Sequence, residues 1–142
     1  MTDRVGRRDF ILALSGLALP LTGFPEPLTA AAWARQGPHP EPRPGIDASR
    51  VLGASQIEHK EAAPVYELVR EIPQVVDGIG CYCGCAGTPG IYSLLSCYEA
   101  GGMAQHCLIC QGEARLVHRL HRNGWSLNGI RTAVDAQFAR SS

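Results

Sequence analysis

Apolar residues along the chain follow two different rhythms. From Phe10 to Leu21 they form a nearly continuous run. From Val65 onward they recur at helical spacing, as Val65, Leu68, Val69 and Ile72, with Tyr66 bordering the stripe. Val75, Val76 and Ile79 continue that lining, Ala114, Val117 and Leu120 begin a second one, and Leu127, Ile130, Val134 and Phe138 form a third at spacings of 3, 4 and 4. A period near 3.6 with no useful run of strict alternation predicts helices and no strand. Pro64 suits a first helical turn, where its missing N–H is no loss. Pro73 ends that helix or begins another. Asn123-Gly124 reads as a left-handed C-cap and Ser126 as the N-cap of a last helix, so Gln111–Arg122 and the final stripe form a helical hairpin. The expected fold is all-α, a small helical domain of three to five short helices around a cysteine-rich loop, covering residues 47–142.

The apolar run near the start has a different meaning. Arg4, Arg7 and Arg8 precede it, Pro20 interrupts it, and Ala30-Ala31-Ala32 or Ala32-Trp33-Ala34 offers a small-residue cleavage site. Charged start, short apolar stretch and small residues make a signal peptide over residues 1–34. The run is too short to span a bilayer comfortably, which takes roughly 20 apolar residues. Arg7-Arg8-Asp9-Phe10-Ile11 resembles the twin-arginine export pattern, with Gly6 and Leu12 departing from the usual neighbours. That resemblance implies a bacterial source, the twin-arginine export machinery as a partner, and a destination in the periplasm or cell envelope. The membrane is then met only through the signal; an uncleaved anchor and an ordinary secretory signal are the alternatives. Residues 35–46 carry proline at every second position from Pro38 to Pro44, which favours extended chain. They are expected to act as a linker, with His39 solvated in it.

Composition narrows the function. The chain has 142 residues, with 13 lysines and arginines against 13 aspartates and glutamates. This balance gives no field for nucleic acid or anionic lipid. After removal of the signal only one small domain remains, and domains of that size often need a disulfide or metal staple. No paired carboxylates, serine–histidine set or phosphate loop points to hydrolysis or transfer, so no catalytic residue is assigned.

Six cysteines stand within thirty residues: Cys81, Cys83, Cys85, Cys97, Cys107 and Cys110. On extended chain the alternate positions of Cys81, Cys83 and Cys85 send their sulfurs to one side. Gly84 removes bulk between two of them. The spacing of Cys107 and Cys110 puts two sulfurs on one side of a helix's first turn, where backbone N–H groups favour thiolate. Clustered thiolates select soft or borderline ions, so copper(I) or zinc is the expected cofactor, with an iron–sulfur cluster less favoured. His106, beside Cys107, is a further candidate ligand, against a reading in which it simply faces water. His118 and His121 are expected on a solvated face with Arg115, Arg119 and Arg122. Three disulfides are the structural alternative, because the destination is oxidising. Thiol redox chemistry through Cys107-Leu108-Ile109-Cys110 is a third reading, but no βαβ pattern accompanies it.

Cys81-Tyr82-Cys83-Gly84-Cys85 resembles the signature of the bacterial PCYCGC-motif proteins, which are exported or lipid-anchored. The likeness runs through Leu95-Ser96-Cys97-Tyr98, Cys107-Leu108-Ile109-Cys110, Glu113-Ala114 and Gly124-Trp125-Ser126 to Ile130-Arg131 and Phe138. It covers roughly residues 62 to 139. Gly80 stands where the signature has proline, and Gly87 to Ser96 lacks a histidine that relatives tend to carry. The resemblance implies a metal-associated envelope protein and supplies no activity.

Overall fold

A computed structural model of the chain describes residues 39–139; the signal segment, Arg7 and Arg8 lie outside them. The described residues form four α-helices and five short 3-10 turns, with no strand. The helices are α1 (Ala63–Glu71), α2 (Pro73–Asp77), α3 (Leu108–Arg122) and α4 (Leu127–Phe138). The expected all-α class is therefore observed. Among the described residues no helix is long and apolar enough to cross a membrane.

The apolar stripes bury largely as their spacing predicts, with Val75 and Leu127 only partly covered. In α1 the buried side chains are Val65, Tyr66 and Val69, while Leu68 is only partly covered. Tyr66 moves to the centre because its ring meets Tyr98 edge to face, with centroids 4.9 Å apart, the arrangement aromatic quadrupoles favour. Pro73 plays both predicted parts. The chain breaks at Ile72 (φ −138°, ψ 44°), and α2 starts immediately after. Helix α3 begins one turn earlier than expected, at Leu108. It ends as expected: Gly124 N–H donates to the His121 carbonyl and Trp125 N–H to that of Leu120, the paired bonds of a Schellman motif. Ser126 caps α4 by accepting from Gly129 N–H at 3.2 Å, and Ile130, Val134 and Phe138 turn inward against the rest of the core.

The stretch preceding the domain departs from the linker expectation. Residues 39–43 have no regular secondary structure and Pro44-Gly45 makes a turn, with Gly45 at φ +76°, yet the stretch docks on the helices. Arg43 reaches Asp77, at the end of α2, at 2.7 Å, and Ile46 is buried in the core. Arg131 of α4 donates to the Pro40 carbonyl at 2.6 Å and to the Gly78 carbonyl at 3.0 Å. His39, expected in solvent, is mostly covered and hydrogen-bonded on both ring nitrogens. The prolines kept the segment out of helix; the buried Asp77 supplied a partner that no local pattern announces.

Candidate metal centre

Two elements frame the cysteine loop. Ile79, just past α2, fixes one end by accepting the Leu94 N–H at 2.7 Å. The other end is the start of α3. Between them Ser93 opens a 3-10 turn, Leu94–Tyr98, every residue of which is buried. Two glycines make the path possible. Gly84 adopts φ +90° between Cys83 and Cys85, a left-handed bend that side chains resist. Gly102 lies so close to the turn that a Cβ there would stand 2.3 Å from the Cys97 carbonyl oxygen.

This path gathers four sulfurs. Those of Cys81, Cys83, Cys97 and Cys110 all lie within 4.8 Å of one another. Cys81 is 3.2 Å from Cys83, 3.6 Å from Cys97 and 3.7 Å from Cys110. These are non-bonded separations, since a disulfide sets its sulfurs about 2.05 Å apart, and no disulfide joins any of the six cysteines. A tetrahedral ion with metal–sulfur bonds of about 2.3 Å holds its ligands about 3.8 Å apart. The observed spacing comes near that value, so the four residues fit a thiolate-bound ion. Cys81, Cys97 and Cys110 are buried, and Cys83 is half-buried.

The other predicted ligands lie outside this group of four. The sulfur of Cys85 sits at the rim, 3.0 Å from Cys83 and 3.6 Å from Cys97, outside the group of four. Cys107 is the N-cap of α3, and its sulfur accepts the Cys110 N–H at 3.4 Å. The two cysteines of the pair thus divide, one capping the helix and the other entering the cluster. His106 is exposed, its ring edge-on to that of His59 at 4.1 Å. His121 is solvent-facing as expected, whereas His118 is largely covered and bonded to Glu71 at 2.7 Å.

Two residues near the sulfurs escaped the sequence reading. Glu113, one turn beyond Cys110, is fully buried; it accepts the Tyr82 N–H at 2.7 Å and lies 3.4 Å from the Cys81 sulfur. Burial pushes its carboxyl up to about 8, against the lowering effect of the Tyr82 N–H and Cys81. Glu113 stands in the family likeness with no role attached to it, and a charge among buried neighbours has no signature of its own in sequence. Met103 places its sulfur 3.5 Å from that of Cys83. An unpatterned methionine in a loop offers no signal until its neighbour is known.

Electrostatics within the cluster favour a cation. The neighbouring thiols of Cys110, Cys81 and Cys97 draw the Cys83 thiol down. The partner thiols and burial push Cys110 up in turn. One thiolate is stabilised by the thiols around it, and a second negative charge at this distance in a poorly solvated site is opposed by the first. A positive ion removes that opposition.

Outer contacts hold the loop in place. His39 Nδ1 accepts the Gly80 N–H at 2.8 Å, which leaves Nε2 to donate to Asp135 at 2.8 Å. Asp135 also accepts from the Tyr82 hydroxyl. On the other side the Tyr98 hydroxyl donates to the Cys110 carbonyl at 2.8 Å. Backbone on both sides of the cluster is thereby tied to α3, α4 and the docked segment. Such supporting contacts fix ligand orientation in metal sites.

No family model, curated protein or solved structure matches the chain.

Proposed function

We propose that this chain is an exported protein that binds a thiophilic metal ion, copper(I) or zinc, for storage, delivery or detoxification outside the cytoplasm. One observation carries the reading: four cysteine sulfurs from three separate parts of the chain lie within 4.8 Å of one another. Convergence from the loop, the 3-10 turn and α3 presents donors in three dimensions, as a tetrahedral ion requires. Export rests on Arg7-Arg8 and the short apolar run that follows them. A twin-arginine route carries folded proteins, so the site can be loaded where thiols remain reduced. A place among the PCYCGC-motif proteins belongs to the same proposal and rests on the Cys81–Cys85 motif. The role is binding, not catalysis, and the ligand set is Cys81, Cys83, Cys97 and Cys110.

The test is elemental analysis with thiol counting on the chain recovered from a bacterial periplasm. Copper or zinc on the native protein, and six reactive thiols after chelation under denaturing conditions, are expected. Cys110→Ser should lose the metal and Cys107→Ser should retain it. Absence of metal together with three S–S links by mass spectrometry would mean a disulfide-stapled module instead. Visible absorption would point to an iron–sulfur cluster.

A further inference from the structure

The buried cluster opens on one side. Beside Cys83 lies an open cleft of about 410 Å³, whose lining includes Cys83, Cys85, Thr88, Ile91 and Met103. Gly84 and Gly101 also border it, and at either one an added Cβ would meet nothing within 4 Å, so the opening is not obstructed there. Among the described residues lining it there is no carboxylate and no imidazole. Its donors are a hydroxyl and three sulfurs. Cys83 and Cys85 are half-buried, their sulfurs 3.0 Å apart, and Met103 is 44% exposed with its sulfur 3.5 Å from that of Cys83. The chain contains only two methionines, Met1 and Met103.

Thioether sulfur is neutral, soft and a poor partner for hard cations. It belongs with copper(I), whereas protein zinc sites draw on thiolate, imidazole and carboxylate. Two sulfurs binding one ion through bonds of about 2.3 Å stand roughly 3.5–4 Å apart; the Cys83–Met103 separation of 3.5 Å lies in that range, while the Cys83–Cys85 pair, at 3.0 Å, must open slightly to share an ion.

We propose that Cys83, Cys85 and Met103 form a second, solvent-facing copper(I) site that loads the buried cluster. This rests on the reading of the four cysteines as a metal site and deepens it by naming the ion and its entrance. Cys83 belongs to both sets, so an ion transfers without leaving the protein. Its bonds to Met103 and Cys85 break as bonds to Cys81, Cys97 and Cys110 form. The newly ligating thiols release their protons to water, Cys85 takes one back, and copper remains Cu(I) throughout, so no oxidant or reductant is needed. A neutral thioether is suited to the entrance because it binds without a proton to lose and holds the ion less firmly than thiolate.

The experiment uses the full chain labelled with selenomethionine and loaded with Cu(I). X-ray absorption at the selenium edge should show a copper neighbour, and Met103→Leu should abolish it, since only the label at position 1 then remains. Stopped-flow transfer of Cu(I) from a chromogenic chelator should be slower in Met103→Leu than in the native chain, with zinc stoichiometry unchanged. Leucine keeps the apolar bulk at an exposed position, and an unchanged circular dichroism spectrum establishes that the fold is intact. If Cu(I) is held by the cysteines with no selenium–copper distance and equal transfer rates, the entrance site is refuted and the buried site stands. If the native chain holds neither Cu(I) nor zinc, both readings fall.

Discussion

At the scale of single residues, Cys107 and Cys110 illustrate how little spacing says about role. The N-cap needs an acceptor for an orphan N–H, and the sulfur of Cys107 supplies it. Serine is a better cap than cysteine, so Cys107→Ser should leave the thermal midpoint unchanged or slightly higher. Cys110→Ser should remove the metal's stabilisation; thermal melts with and without zinc distinguish the two. Gly102 makes a second residue-scale prediction. Because a Cβ would overlap the Cys97 backbone, Gly102→Ala should cost about 2–3 kcal/mol by overpacking, read as a lower urea midpoint. It should also weaken zinc binding, because the turn carrying Cys97 must shift to make room. The hydrophobic pattern does not reveal Gly102; only the approach of the 3-10 turn makes it obligatory.

Among elements, the docked segment at residues 39–46 decides how firmly the cysteine loop is held. Its anchor is Asp77, a fully buried side chain that accepts from the Arg43 side chain, the Arg43 N–H and the Ser93 hydroxyl. Burial pushes the Asp77 carboxyl up, but the Arg43 side chain, its backbone N–H and Ser93 outweigh this and hold it below the ordinary carboxylate value. A folded pKa below the unfolded one stabilises the protein above the unfolded pKa of about 3.9 and is lost as pH falls below it. Urea midpoints should therefore drop between pH 5 and pH 3, and Asp77→Asn should flatten that part of the profile. At neutral pH the same substitution should cost about 2–3 kcal/mol, less than a fully buried pair would lose, because Arg43 keeps 30% of its side-chain exposure. A chain that begins at Asp47 loses this anchor and the His39–Gly80 contact together. Its amide at Gly80 should exchange with solvent faster than in the longer chain.

For the molecule as a whole, a metal bound in the cluster would be linked to the fold. Three of the four cluster sulfurs belong to buried residues that also line the core, so unfolding disperses the ligands and binding stabilises only the folded state. One hundred-fold excess of ion over its dissociation constant then adds about 2.7 kcal/mol. In a domain of this size that raises the thermal midpoint by about 10–20 °C. Calorimetry with zinc, followed by a chelator, should show the rise and its reversal. A chain whose melting temperature ignores both additions does not bind metal in the cluster.

What the sequence determines by itself is what local physics controls. Helical periodicity, Pro64, Pro73, the Asn123-Gly124 stop and the Ser126 cap are each decided within a few residues, so the helical class and the final hairpin sequence of cap and stop were legible. The crowding of six cysteines in one window likewise marked where the chemistry lies, leaving metal thiolate and disulfide both open until the sulfurs were placed. Tertiary structure decided the rest. Which sulfurs meet depends on the path between Ile79 and Leu108, set by long-range contacts such as Leu94 to Ile79 and Tyr98 to Cys110. Those contacts sent Cys107 to a helix cap, left Cys85 at the rim, kept His106 in solvent and drew Met103 and Glu113 to the sulfurs. Extended proline-rich chain is equally compatible with a free tether and a docked strap, and only a buried carboxylate waiting for Arg43 distinguishes them. Periodicity reports which face of an element is covered; it carries no term for what covers it.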